Sequence, residues 1–440
     1  MVVVPDAVET LPPRDLARKH RRLLGSALSG SAIEWYDFGL YGLLAPIIFN
    51  KIFFAAAMSP WIKNIFVMVI FGIGFFGRPV GGLIFAHFGD KVGRKPMMVV
   101  TMSLIGVAST LIGCIPSYAQ IGIAAPIILT LLRFVQGCAL GGESTGAPIL
   151  TMESAPQGRR GLFASIAQMG AAGGAILSSL AVQAVLHLSP DQLLSWGWRL
   201  PYLASIVIVG IGLYIRVKVD ESPAFVKRTA EAGVSRIPLF DVLRSAPKAA
   251  LIVFLCALCE SSIAFLPGVY GLQYATQTLH IPALLMIQGG LAGVVVCLFL
   301  GPTMGWLSDK IGRRPLMIAG FVLAAIHIVF VFFALLETRN PYLIMLASAL
   351  SPAILTPLTL CVEGSFYAEL FEDARLRYTG NTLGRQFGTA FGGGLIPTIA
   401  TSMVAAMAGS LWGIKAYFCF LAFMAIVAVL FAPETKNRRV

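Results

Sequence analysis

The sequence predicts an all-α membrane protein with twelve transmembrane helices in two pseudo-symmetric six-helix bundles. Three observations lead there. Apolar residues fill 57% of the 440 positions and charged residues only 12%, about half the charged share of a soluble domain; mean hydropathy is +0.82. The apolar residues run on for about 20 positions or more, the length an α-helix needs to cross a bilayer, and do not alternate in ten-residue segments as barrel strands do. The stretch GDKVGRKP at 89–96 returns as SDKIGRRP at 308–315, with five of eight positions identical and Asp90 and Asp309 separated by 219 positions, close to half the chain. A period this long points to two fused halves and not to a stacked solenoid.

In chain order, residues 1–22 form a polar tail carrying Arg14, Arg18, Lys19, Arg21 and Arg22. No secretory signal peptide with a cleavage site is visible there, so the tail reads as cytoplasmic. The first bundle, 23–217, holds spans at 23–49, 62–88, 97–116, 122–150, 161–186 and 198–217. The polar stretch 218–247 reads as a cytoplasmic linker with short surface helices. The second bundle, 248–432, holds spans at 248–278, 284–307, 315–336, 342–367, 379–407 and 411–431, and 433–440 is a second cytoplasmic tail. Several spans exceed the bilayer's requirement, which allows tilt.

Orientation follows from Lys and Arg. Of the 33, 25 fall in the two tails, the linker and the loops on that side, against Lys51, Lys63, Arg339 and Lys415 on the other. Arg78, Arg133, Arg199 and Arg385 lie in or at the ends of spans. This bias places both termini inside a bacterial cytoplasmic (inner) membrane. It also accounts for the net charge of +12 without a nucleic-acid partner.

A second repeat, QMGAAGG at 168–174 and QFGTAFGG at 386–393, marks the fifth and eleventh spans as equivalent helices. Its glycines read first as close helix packing. Parallel halves flanking a midplane site are a transporter design. The seven cysteines all fall in apolar segments. Cys256 and Cys259 form a CxxC with no second CxxC, so they read as apolar filler and no metal site is expected. The five histidines are scattered without ligand spacing. With no phosphate-cradling loop either, an enzyme is not expected, nor any cofactor beyond a proton gradient.

Ionisable groups inside a membrane are costly and usually functional. Seven lie well inside spans: Glu34, Asp37, Arg133, Glu143, Glu260, Glu363 and Arg385. Glu34, Asp37 and Tyr41 stand at i, i+3 and i+7 on one face of the first helix, with Trp35 and Phe38 pointing elsewhere. They form either a proton site facing a central cavity or an interfacial pair near the helix end. Arg133 and Gln136 share a face of the fourth span. Arg385 is the one cation deep in the second half. It either binds a substrate carboxylate, with Gln168, Gln386, Tyr270 and Tyr274 supplying hydrogen bonds, or neutralises Glu260 or Glu363. Pro267 and Pro397 read as helix kinks.

The repeated loop resembles the signature of the major facilitator superfamily between its second and third helices and again between its eighth and ninth. RFVQGCALGGE at 133–143 resembles that superfamily's helix-four signature. SAIEWYDFGLYG (31–42), RPVGG (78–82), WGWRLPY (196–202), DESPAF (220–225) and RYTG (377–380) resemble the metabolite:proton symporter branch. Within it, residues 256–282 look most like shikimate permeases. The resemblance covers about 25–432. Two positions depart from it: Glu372 stands where the family usually has Pro, and Arg385 where relatives often have an aromatic residue.

The resemblance implies the fold of that superfamily and proton-coupled uptake of a small organic carboxylate, such as shikimate or a di- or tricarboxylate, by alternating access. An osmolyte symporter for proline or betaine, or an exporter, is the alternative. It implies a cytoplasmic gate of Asp90, Arg94, Asp309 and Arg313, in which the loop pairs with a neighbouring helix end. It implies proton coupling through Asp37 paired with Arg133, with Glu34 beside them. The candidate substrate-binding set, read from the buried polar residues, is Arg133, Arg385, Gln168, Gln136, Tyr41, Glu260, Glu363, Tyr270, Tyr274 and Gln386. The expected partners are an organic acid, protons and the lipid bilayer, and the expected state is a monomer.

Overall fold

A computed structural model describes residues 13–92, 94–141, 151–152, 155–156, 158–217, 242, 244–436 and 438, and among these every regular element is helical. The first half comprises α1 (Pro13–Leu44), α2 (Pro60–Val92), α3 (Arg94–Cys114), α4 (Ala124–Gly141), α5 (Arg160–Leu186) and α6 (Arg199–Val217). The second comprises α7 (Pro247–Thr278), α8 (Ala283–Ile311), α9 (Arg313–Glu337) and α10 (Pro341–Glu369). It is completed by α11, which runs over Ala374–Thr389 and on through Ile396–Ala406, and by α12 (Trp412–Phe431). Most of the linker at 218–247 lies outside the described residues.

Each of the twelve expected spans contains a helix over its described part, residues 142–150 of the fourth lying outside the described residues. Among the described residues nine are long and apolar enough to cross a membrane, ten if the bent pair Pro190–Gly197 and Arg199–Tyr214 is one span. α1 falls short because Glu34 and Asp37 interrupt its apolar run, and α3 because its apolar part is only Val99–Cys114. Large apolar side chains such as Ile206, Phe299, Phe330 and Phe423 are exposed, as a lipid-facing surface requires. Inside, apolar side chains gather into two large cores. One is built mainly from the first half around Phe49, Phe53, Trp198 and Tyr202, the other from the second half around Phe321, Phe332, Phe366 and Phe418.

The glycine repeat explains how each half is knit. A Cβ at Gly170 would stand 2.6 Å from the Leu28 carbonyl oxygen, and one at Gly174 2.3 Å from that of Ala32. Their counterparts, Gly388 and Gly392, press α11 onto the carbonyls of Phe254 and Leu258 in α7 in the same way. Backbones this close leave room only for glycine. The halves meet along α5 with α8, α2 with α11, and the end of α1 with α7. At the far end of this interface Gln277 Nε2 donates to the Pro46 carbonyl, 3.1 Å.

At the near end sits the SDKIGRRP loop. Asp309 accepts hydrogen bonds from the Gly161 and Leu162 N–H groups, 2.8 and 3.0 Å, and so caps the N-terminus of α5 across the interface. Arg313 pairs with Asp309 at 2.8 Å and forks onto Glu369 at 3.2 Å. Gly312 adopts φ 110°, and a Cβ there would meet the Glu434 carboxylate at 2.6 Å, so glycine serves the turn between α8 and α9. Glu434 accepts from the Arg313 and Arg314 N–H groups at the start of α9. Partial burial pushes its carboxyl up, and backbone N–H donors from Arg313, Lys436, Arg314 and Thr435 more than offset this, holding it below the usual glutamate range.

Candidate functional site

Between the halves lies a cavity with about 580 Å³ of empty space, counting the part open to solvent. Its polar lining includes Glu34, Arg78, Gln168, Glu260, Arg385 and Gln386, and its apolar lining includes Trp35, Phe75 and Phe265. On the far side Phe265 of α7 inserts among Phe38, Phe71 and Phe75, with ring centroids 6.0, 5.6 and 5.1 Å away. Trp35 stacks on Phe265 at 6.3 Å. On the near side α5 and α8 touch through their backbones. A Cβ at Gly161 would lie 2.5 Å from the Gly305 carbonyl oxygen. The charged centre is thus bounded by an aromatic layer on one side and a glycine contact on the other.

Five helices, α1, α2, α7, α10 and α11, bring the charges together. Arg385 Nη2 pairs with Glu363 Oε1 at 2.9 Å. Gln168 Nε2, from the other half, reaches the same oxygen at 3.5 Å. Glu260 stands beside this pair. Arg78 lies with its guanidinium 4.6 Å from the Phe38 ring and 4.8 Å from that of Phe75, with Glu34 as the nearby acid.

A second polar cluster is enclosed within the first half. Asp37 accepts a short hydrogen bond from Ser205 on α6. Arg133 Nη1 donates to Gln136 Oε1, and Gln136 Nε2 donates to Ser109 Oγ at 2.7 Å. The Arg133 guanidinium lies 4.2 Å from the Tyr41 ring and 4.9 Å from that of Phe38.

The structure therefore divides the expected substrate set. Gln168, Glu260, Arg385 and Gln386 line the cavity and Glu363 stands directly behind Arg385. Arg133, Gln136 and Tyr41 belong to the enclosed cluster. Tyr270 and Tyr274 stack on each other at 6.2 Å and against Phe333, away from the cavity. They stand ten and fourteen residues beyond Glu260, roughly 15 and 21 Å further along α7, past the Phe265 ring that closes the far side of the cavity.

Three further expectations are corrected. Asp37 and Tyr41 do not share the cavity with Glu34. At about 100° per residue, the arc of Ser31, Glu34 and Trp35 faces the cavity and Asp37 stands about 110° round from its middle, toward α6. Trp35, expected to point elsewhere, faces the cavity for the same reason. Asp37 and Arg133 make no ion pair: each has taken a neutral partner, Ser205 and Gln136. Arg385 is held by the Glu363 carboxylate, the second of the two roles the sequence leaves open for it. The side chains of Asp90 and Arg94, and all of Glu143, lie outside the described residues.

Sequence reasoning missed Arg78, counted only as lying in or at the end of a span. Its signal was present: it falls deep inside the apolar run of α2, in GFFGRPVGG. Among the described residues no group of three or more His, Cys, Asp or Glu is placed to hold a metal ion.

Residues 24–236 and 250–440 match the family described as sugar (and other) transporter. The chain is similar to the shikimate transporter of Escherichia coli strain K12, with 37% identity over 426 residues and 96% of both chains covered. It is similar to the glycine betaine/proline/ectoine/pipecolic acid transporter OusA of Dickeya dadantii strain 3937 at 31% identity, covering 99% of this chain and 87% of that one. Among solved structures, a D-xylose-proton symporter superposes with a TM-score of 0.73 at 17% identity, covering 96% of this chain and 99% of that one.

Proposed function

The chain belongs to the sugar (and other) transporter family of the major facilitator superfamily, and from that membership we propose a secondary active transporter that takes up a small organic carboxylate, such as shikimate, together with protons. The halves 23–217 and 248–432 alternate access to the central cavity, in a bacterial cytoplasmic membrane with both termini inside. The similarity to a shikimate transporter supports the substrate class. The gate is formed by Asp309 and Arg313 and, by the repeat, Asp90 and Arg94.

One observation carries the reading: the cavity's charges. Two guanidiniums, Arg78 and Arg385, face three carboxylates, Glu34, Glu260 and Glu363. A carboxylate entering this confined space adds to a surplus of negative charge. Like charges held close in a poorly hydrated site disfavour ionisation. Protons entering with the substrate relieve that surplus, which links the two fluxes. Asp37, enclosed in the first half beside Arg133, is the second proton-carrying group. Arg385, Gln168 and Gln386 contact the substrate from both halves.

The test is uptake of labelled shikimate by proteoliposomes. Accumulation driven by an inward proton gradient, competed by 2-oxoglutarate or citrate and not by proline or betaine, is expected. Accumulation indifferent to the gradient sinks the coupling. A second reading, a zwitterionic osmolyte, draws on Trp35, Phe75 and Phe265, whose rings suit a quaternary ammonium. Competition by betaine alone would favour it.

A further inference from the structure

We propose that Arg78, on α2, is the residue that anchors the substrate's carboxylate, a role that rests on the carboxylate reading above. Arg78 lines the cavity and is 5% exposed, and its Nε and Nη2 atoms are buried with no hydrogen-bond partner. These two N–H groups lie on one edge of the guanidinium, the side-on fork that receives both oxygens of a carboxylate. Buried donors left unfilled cost more than a made bond returns, so the edge is held ready for an acceptor that arrives from outside the chain. A planar group with two adjacent acceptor oxygens and a negative charge fits it.

The surroundings fix the geometry. Phe38 and Phe75 stand against the guanidinium at 4.6 and 4.8 Å. Aromatic contact holds a guanidinium while offering no hydrogen-bond acceptor to its edges. Arg385 is differently placed, because Glu363 already occupies its Nη2 at 2.9 Å. Arg133 also has Nε and Nη2 unfilled, but it is fully buried in the first half and does not line the cavity. Arg78 alone among these three combines an unfilled fork with a place in the cavity wall.

The experiment compares shikimate with its uncharged methyl ester by calorimetry on purified protein. The wild type is expected to prefer the acid. Arg78→Gln is expected to weaken binding of the acid by about ten- to a hundredfold while leaving the ester unchanged, so the preference collapses. Arg78→Lys, which keeps the charge and loses the fork, falls between. Should Arg78→Gln not fold, Glu34→Gln combined with Arg78→Gln removes both charges and is measured in the same way. Unchanged affinity for the acid, or equal loss for acid and ester, overturns the anchor. A wild type that binds shikimate, 2-oxoglutarate and citrate no better than buffer overturns the carboxylate reading, and the anchor with it. That failure is told apart because the wild type itself is silent.

Discussion

Arg133 in the first half and Arg385 in the second both stand among acids inside the membrane-spanning bundles, and the two are stabilised differently. Arg133, in the first half, lies against the rings of Tyr41 and Phe38 and donates to Gln136; its acid, Asp37, is bonded to Ser205. Arg385, in the second half, is held by Glu363 and shares that carboxylate with Gln168 from across the interface. A guanidinium resting on neutral partners leaves its acid able to change protonation without stranding a cation. One held in an ion pair cannot lose its acid without leaving a buried charge. The first half is thus suited to passing a proton, and the second to joining the halves around a substrate.

The largest effect is expected from Asp37→Asn. The amide oxygen still accepts from Ser205, so the fold survives. Gradient-driven accumulation is lost while exchange of internal for external substrate remains. Full accumulation by this variant would remove the distinction between the halves. Next, Arg385→Gln strands Glu363 and costs about 3–5 kcal/mol of stability. Adding Glu363→Gln should restore most of the melting temperature, and if single and double variants melt alike, the pair is not what stabilises that site. Arg133→Gln gives the smallest change. It removes ring contacts worth roughly 1–2 kcal/mol and strands no ion-paired acid. A melting temperature below that of Arg385→Gln would reverse the comparison.

The fold was legible because bilayer-length apolar runs and two repeats are written at single-residue resolution. The glycines of QMGAAGG and QFGTAFGG were read as packing residues, and Gly170, Gly174, Gly388 and Gly392 do press helix on helix. The site was legible as an inventory of buried polar residues, and less so as an arrangement. Which way a helix faces depends on its neighbours, so Glu34 and Asp37, three residues apart, went to different chambers. Tyr270 and Tyr274 miss the cavity because Phe265, which the sequence does not mark as a barrier, packs among Phe38, Phe71 and Phe75 between them and Glu260. Arg78 sits within RPVGG, where only its depth in the span sets it apart from a residue at a helix end.

The segment after α12 has a consequence for biosynthesis. Thr435 donates to Glu369 at 2.6 Å, Glu434 caps the start of α9, and the Arg438 carbonyl accepts from Arg160 at the head of α5, 2.8 Å. These residues leave the ribosome after all twelve helices. While the chain is being made, the first half can insert and pack as it emerges, but the fastening of α5 to α9 through this segment awaits the residues that follow α12. The protein therefore adds this clasp to the Asp309 cap on α5 only once the residues after α12 have emerged, and a premature stop within α12 yields a molecule that has its cavity residues and lacks the clasp.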